Sequence, residues 1–537
     1  MNVTLPAPLP TLHDLLLAAP PDGVAVIADG GATTITYGQL ADASARVAAG
    51  LRQLGVGAGD RVAIWLPNVD AWLATFFGCA RIGAIAVAVN TRFRSSELGD
   101  ILGRSRAKIL VFWPAFKQID FAGILGDCAP QALAHLTAFV TYGDAAGAAG
   151  ETLLGRPAVP YAALARHAPL PDHPGAGNDG CALFTTSGTS SRPKFVLHDQ
   201  RTLVSHARNV VRAWNLSAAS TMLLVPPLCG VFGLATTLAS LAGGGRLIMS
   251  PVWSAQGDGD AIVRHGVTHM YASDTALAQL LQLPQAATFA KSLQHVGYAA
   301  FSPGEGDIVA RAEAAGIRIA GLYGSSELQA LLAAQDMAAP VADRSCGGGY
   351  FVSPAAHVRV RDPQSQALMA HGETGELEFR APQSVMRGYF GNPEATAQAF
   401  TEDGYFRSGD LGFTRPDGSF VYLARMGDTL RLGGYLVSPA EIEAIVQQCD
   451  GVAECQVVGV PLKGELRPVA CVVADAGAVP DEAAIIGHSA HRLARHKVPV
   501  RVLVMDAFPV TSSANGTKIQ KAKLREIAQT RIEQGGQ

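Results

Sequence analysis

Thr185-Thr186-Ser187-Gly188-Thr189-Ser190-Ser191-Arg192-Pro193-Lys194 is the most informative stretch of this chain. Six of its first seven residues carry hydroxyls, Gly188 and Pro193 discourage regular structure, and Lys194 closes it with an ammonium. Backbone N–H groups, hydroxyls and one cation are what a loop needs to hold polyphosphate oxygens. The second glycine and the Gly-Lys-Ser/Thr ending of a Walker loop are absent. On composition alone, a solvated Ser/Thr-rich surface loop is the competing reading.

The sequence around this stretch alternates between two periods. Leu40, Ala43, Val47, Leu51 and Leu54 share one helical face, with Gly55 and Gly57 as stop signals. Residues 61–68 suit a buried strand, 70–80 a helix and 84–89 another strand, and the pattern returns after residue 180. Such alternation predicts a parallel α/β sheet. Residues 357–362, 375–380 and 418–425 instead alternate like antiparallel strands, which predicts a β-rich subdomain. Beyond about residue 427, helices near 438–448 and from 481 mix with strands near 454–460, 468–474 and 500–506. The expected fold class is therefore α/β: a large N-terminal domain, 1–426, and a small α+β C-terminal domain, 427–537, joined at 424–429.

Composition narrows the function classes. The chain has 537 residues, 48% hydrophobic and 16% charged, which excludes a disordered polymer. With 42 Lys+Arg against 45 Asp+Glu, the net charge of −3 gives no case for nucleic-acid or anionic-membrane binding. The eight cysteines form no CxxC pair and no Cys/His cluster of zinc spacing, as expected of a reduced cytoplasmic protein. The first 20 residues contain Asp14 and no Lys or Arg, and Pro6, Pro8 and Pro10 break them, so no secretory signal is expected. No charge occurs between Arg212 and Arg246, but Pro226, Pro227, Gly230, Gly233 and Gly243–Gly245 interrupt that run. A buried strand, loop, short helix and turn are expected there rather than a membrane span.

The opening stretch resembles the signature loop of the acyl-adenylate-forming enzymes, which include acyl-CoA synthetases, luciferases and peptide-synthetase adenylation domains. It keeps Thr186, Ser187, Gly188, Thr189, Pro193 and Lys194 of that pattern and departs at Ser191 and Phe195, where the family has glycine. Four further matches follow in the family's order. Tyr323-Gly324-Ser325-Ser326-Glu327 resembles Tyr-Gly-x-Thr-Glu, and Tyr405-Phe406-Arg407-Ser408-Gly409-Asp410 resembles Trp/Tyr-x-x-Thr/Ser-Gly-Asp. Arg425 to Tyr435, running into Glu441-Ile442-Glu443, resembles the hinge segment, and Asn515-Gly516-Thr517-Lys518 resembles the C-terminal Gly-Lys-Ile motif with Thr517 inserted. Met386-Arg387-Gly388-Tyr389 is a weaker match.

The resemblance implies ATP and Mg²⁺ as partners of these residues. Thr185, Ser190 and the rest of the first stretch would hold phosphates, Tyr323 would stack on adenine, and Ser326 would touch the α-phosphate. Glu327 would carry Mg²⁺. Gly297, Tyr298, Ala299 and Tyr422 would border the nucleotide, and Asp410 and Arg425 would hold the ribose. Gly427 would be the hinge of a mobile C-terminal domain, Gly433 and Gly434 would line a thiol tunnel, and Lys518 would neutralise charge in the transition state. The inserted Thr517 leaves Lys518 and Lys521 both open for that role. The acyl pocket would draw on Cys229, Gly230, Val231, Phe232, Tyr298, Ala299, Leu322 and His206.

Amino-acid-activating relatives place an Asp near the first of these pocket segments, and none occurs here. An apolar medium-chain, cyclic or aryl carboxylate is therefore expected, since an unpaired buried ammonium costs several kcal/mol. No carrier-protein domain is seen, so CoA is the expected acceptor and an acid–CoA ligase the expected activity. The alternatives are a carrier-protein or other acceptor and a non-catalytic nucleotide-binding protein of the same fold. A monomer and a homodimer both stay open.

Overall fold

The structure is a computed structural model that describes residues 11–28, 31–143, 151–172, 174–186, 193–301, 305–426, 430–432, 435–437, 439–462, 465–493, 495–513 and 516–535. For Arg431, Tyr435, Leu436, Ser512, Ser513, Gly516, Thr517, Lys518 and Gly535 it describes the backbone only.

Two sheets build most of the chain. In the first, six parallel strands lie in the order Val24–Ala28, Arg246–Met249, Thr221–Leu224, His269–Ser273, His295–Ala299 and Ile319–Tyr323. The antiparallel strands Gly347–Phe351, Phe420–Arg425, Phe406–Thr414, Gly375–Arg380 and His357–Arg361 continue the same sheet, joined through the two-residue strand Ala333–Ala334. The expected β-rich subdomain is thus the far half of one 13-stranded sheet. The second sheet has nine strands, with Ile85–Ala88, Arg61–Trp65, Ile109–Phe112 and Ala138–Thr141 parallel at its centre. Gly180–Thr185 joins it parallel to Ile85–Ala88 and forms an antiparallel hairpin with Phe195–Asp199.

The period of two sorts the side chains. Val62 and Ile64 enter the largest core, which also holds Met222, Leu224 and Leu247 of the first sheet. Ala63 and Trp65 face a separate core on the other side. Helices Leu12–Leu17, Tyr37–Gln53, Asp70–Arg81, Gln200–Ala213 and Val231–Ala242 contribute to the same core. The helix Tyr37–Gln53 starts at a Thr36/Gln39 capping box, buries Leu40, Val47 and Leu51, and stops before Gly55, whose φ is +81°. The uncharged stretch forms the strand Thr221–Leu224 and the 12-residue helix Val231–Ala242, buried on all sides. No described helix is long and apolar enough to cross a membrane.

In the C-terminal part, Val452–Leu462 and Glu465–Ala474 pair antiparallel, and Arg501–Met505 adds in parallel. Cys455 and Val457 face Leu430, Leu432, Val437 and Ile442, while Val458 and Val460 face Leu524 and Ala528. That small sheet is therefore buried on both faces, and the hairpin Leu430–Leu432/Tyr435–Val437 packs with it.

The N-terminal end of the strand His295–Ala299 holds a half-buried histidine. His295 stacks on Trp214 at 5.0 Å, and burial pushes its imidazole from 6.5 down to about 3. The unfolded chain takes up this proton first. The stability His295 contributes is therefore complete above pH 6.5 and is lost as pH falls toward 3. The slope approaches ~1.4 kcal/mol per pH unit. Urea unfolding between pH 6.5 and 4.5 should show a flatter pH dependence for His295→Gln; an unchanged slope would contradict this.

Candidate active site

The parallel strand Ile319–Tyr323 ends at Tyr323. Open α/β sheets bind ligands beyond the carboxyl ends of such strands. The Tyr323 hydroxyl donates to Asp410 Oδ2 at 2.6 Å, and its ring packs on Phe379, Phe420 and Tyr422 at 5.2, 5.2 and 5.6 Å. Asp410 and Arg425 are direct cross-strand partners, and Arg425 Nη1 donates to Asp410 Oδ1 at 2.7 Å and to the Ser408 carbonyl at 2.8 Å. Gly409 sits at φ +68°, a left-handed conformation that favours glycine, one residue before the carboxylate. Burial pushes the Asp410 carboxyl up, and Arg425 and the Tyr323 hydroxyl oppose the rise. Arg425 is 54% exposed, so its outer face is open to a ligand.

The loop after Tyr323 folds back on itself. A Cβ on Gly324 would lie 1.7 Å from the Ala330 carbonyl oxygen, so only glycine fits. Glu327 lies in the short turn Ser326–Leu328, followed by Gln329 and Ala330, both at φ +59°. Two successive non-glycine residues in this region store local strain.

Across from it, the hairpin Gly180–Thr185/Phe195–Asp199 carries the stem of the Ser/Thr-rich stretch. Thr186 N donates to the Lys194 carbonyl at 3.0 Å, and Lys194 N donates to Thr186 Oγ1 at 3.1 Å. The Lys194 ammonium lies 4.6 Å from the centre of the Tyr389 ring, whose hydroxyl donates to Glu327 Oε1 at 2.9 Å. His198 Nε2 lies 2.8 Å from the Ser326 carbonyl. A carbonyl only accepts, so Nε2 carries the proton, and burial keeps the imidazole neutral. Thr186, Lys194, Ser326, Glu327, Tyr323, Asp410 and Arg425, far apart in sequence, are thus brought together, with Tyr422 beside Tyr323.

Cys229, Val231 and Phe232 share one core with Leu322 and Ala299. Gly230 caps the helix Val231–Ala242, and a Cβ on Gly297 would touch Leu322. Asn68 fixes the segment, accepting from Leu228 N at 2.8 Å and donating to the Pro226 carbonyl at 3.3 Å. His206 is buried, with Nδ1 2.8 Å from Ser384 Oγ, and burial pushes it down to about 3. Tyr298 does not join this group. Adjacent strand residues face opposite sides, and Tyr298 packs in the core on the far face of the sheet with its hydroxyl donating to the Ser345 carbonyl at 3.1 Å. Its expected place in the acyl and nucleotide pockets is corrected accordingly.

Ser187, Gly188, Thr189, Ser190, Gly427, Gly433 and Gly434 lie outside the described residues, as does the Lys518 side chain. The Lys518 backbone pairs with Thr511 in the hairpin Val510–Ser513/Gly516–Ile519. Lys521, the other candidate cation, pairs with buried Glu443 at 3.3 Å, and the same Glu443 oxygen accepts from Val457 N at 2.8 Å. Lys521 is thus anchored inside the C-terminal unit.

The sequence reading passes over Tyr389 as a site residue, together with His198, Asn68 and Ser384. Only Tyr389 sat in a quoted motif, and its place beside Lys194 comes from the pairing of Gly388–Tyr389 with Phe195–Asp199. Among the described residues no group of three or more His, Cys, Asp or Glu side chains could hold a metal. A single carboxylate such as Glu327 fits a Mg²⁺ whose other ligands are waters and phosphate oxygens.

The chain matches the family model described as AMP-binding enzyme over residues 16–390 and that of the AMP-binding enzyme C-terminal domain over 441–515. It is 31% identical over 499 residues to a feruloyl-CoA synthase of an Amycolatopsis species, covering 92% of this chain and 94% of that one. It is also 31% identical over 527 residues to the 3-[(3aS,4S,7aS)-7a-methyl-1,5-dioxo-octahydro-1H-inden-4-yl]propanoyl:CoA ligase of Mycobacterium tuberculosis, covering 97% and 98%. Among solved structures, ATP-bound MatB from Rhodopseudomonas palustris aligns with a TM-score of 0.82 at 25% identity, over 97% of this chain and 99% of that one.

Proposed function

Because this chain belongs to the AMP-binding enzyme family, we propose that it is an ATP-dependent carboxylic acid–CoA ligase, forming acyl-AMP and then acyl-CoA. The observation that carries the reading is the convergence of Asp410, held by Tyr323 and Arg425, with Lys194 and Glu327, joined through Tyr389. The two relatives named above are both named for acids joined to CoA, which supports CoA as the acceptor.

In the first half-reaction a carboxylate oxygen of the acid attacks the α-phosphorus of ATP, and pyrophosphate leaves with the electron pair of the broken P–O bond. Asp410 and Arg425 hold the ribose, Tyr323 and Tyr422 border the base, and Thr186, Lys194 and Ser326 orient the phosphates. Lys194 and Arg425 only balance Glu327 and Asp410, so a triphosphate needs further positive charge. Glu327 would hold Mg²⁺, which supplies part of that charge when bound. Lys518 supplies the rest from the C-terminal unit. In the second half-reaction the CoA sulfur attacks the acyl carbon and AMP leaves. Residues 1–426 and 427–537 act as separate units, with Gly427 as the hinge and Gly433 and Gly434 along the thiol path.

The acid is apolar: a medium-chain, cyclic or aryl carboxylate. Cys229, Val231, Phe232 and Leu322 are all buried and uncharged, and no acidic residue lies between Arg212 and Arg246. Pyrophosphate release with 3-phenylpropanoate against phenylalanine isolates the α-ammonium. The amino acid should be slower by about 100-fold or more in kcat/KM, the cost of a buried unpaired charge. Equal rates would rule out an uncharged pocket.

A further inference from the structure

Arg104 reaches the stem of the Ser/Thr-rich stretch from a distant helix. It lies in the last turn of Ser95–Ser105, and Asp100, one turn earlier, grips its guanidinium at 2.6 to 3.0 Å through both carboxylate oxygens. Its Nη2 donates to the Pro193 carbonyl at 2.8 Å, and its guanidinium carbon lies 4.4 Å from the centre of the Phe195 ring. The residues on either side of Lys194 are therefore both held by one planar cation. Phe195 is itself buried, and its carbonyl accepts from Phe390 N at 2.8 Å, which ties the same stem to the strand carrying Tyr389. Phe195 also stands where the resembling family has glycine. A glycine offers no ring to stack on, so the stacking half of this grip depends on the Phe195 side chain.

We propose that the Asp100–Arg104 pair is a positioning device for Lys194. It fixes Pro193 and Phe195 so that the ammonium stays over Tyr389 and within reach of a bound nucleotide. The role in ATP binding rests on the assignment of Lys194 proposed above. Arginine suits the task because its fork can stack, donate to a carbonyl and pair with a carboxylate at once. A lysine retains the charge and loses the planar fork. Arg104 is 32% exposed on its side chain, so truncation opens no core cavity.

Two readouts test this, one structural and one kinetic. In Arg104→Ala, amide exchange should accelerate in a peptide covering 193–198 and stay unchanged in the helix Tyr37–Gln53. KM for ATP should rise about 10-fold, the worth of one charged hydrogen bond, with kcat within about twofold. Asp100→Asn should shift both readouts the same way by less, and Arg104→Lys should fall between wild type and alanine. In a Lys194→Ala background, Arg104→Ala should add little to KM, because the two residues act in series. Unchanged exchange in Arg104→Ala would overturn the clamp itself. A full further loss in the Lys194→Ala background would overturn action through Lys194. Faster exchange with KM for ATP unaltered in both Arg104→Ala and Lys194→Ala would overturn the nucleotide assignment of Lys194, and the positioning role with it.

Discussion

Lys518→Ala should lower acyl-adenylate formation by about 10²- to 10³-fold, the loss typical of one preorganised donor to a developing oxyanion. Thioester formation from supplied acyl-AMP should stay near the wild-type rate. The split follows from the charge balance of the site. Lys194 and Arg425 already balance Glu327 and Asp410, so charge building on the α-phosphate in the first step needs another cation. In the second step that phosphate leaves as AMP, and the demand is smaller. Lys521→Ala is the matched control. It leaves buried Glu443 without its cation, so it should lower the unfolding midpoint and move both half-reactions together. If Lys521→Ala gave the split and Lys518→Ala did not, the two roles would be exchanged.

Asp410→Asn should cost nearly as much as Asp410→Ala. The carboxylate is the shared acceptor of the Tyr323 hydroxyl and the Arg425 guanidinium. An amide has one acceptor oxygen and turns a donor toward one of those two donors. The pair of charge-assisted hydrogen bonds, each worth about 1.5–3 kcal/mol, is disrupted in either variant. The expected result is a rise of about 100-fold or more in KM for ATP, accompanied by a lower unfolding midpoint because Asp410 is buried. A near-normal KM for Asp410→Asn would mean that shape, not charge, is what the position supplies. The contrast with Arg425→Lys is informative. That variant keeps a cation in a half-exposed place and should lose less.

Local elements were legible wherever their determinants are local. The helix Tyr37–Gln53 follows from its apolar spacing, the Thr36/Gln39 box and Gly55. The hairpin strands of the C-terminal unit follow from short continuous apolar runs, because both faces of that sheet are covered by apolar residues. The continuity of the 13-stranded sheet was not legible. Its bridge is the pair Ala333–Ala334, and its next strand opens with Gly347-Gly348-Gly349, neither of which carries an apolar period. Tyr298 faces away from the pocket that the resemblance implied for it, because a motif match carries a position in the chain but not the face to which its side chain points. Gly297 contacts Leu322, so the residue between Gly297 and Ala299 has to face away. Tyr389, His198 and Arg104 reach the site through pairings that no short window of sequence contains.

The most direct test is steady-state AMP production from ATP, measured with an apolar acid and with and without CoA, with the product identified by mass. Sustained turnover that requires both acid and CoA, and an acyl-CoA product, is the predicted result. Turnover independent of CoA, or ATP binding with no pyrophosphate released for any acid, would contradict the assignment as an acid–CoA ligase.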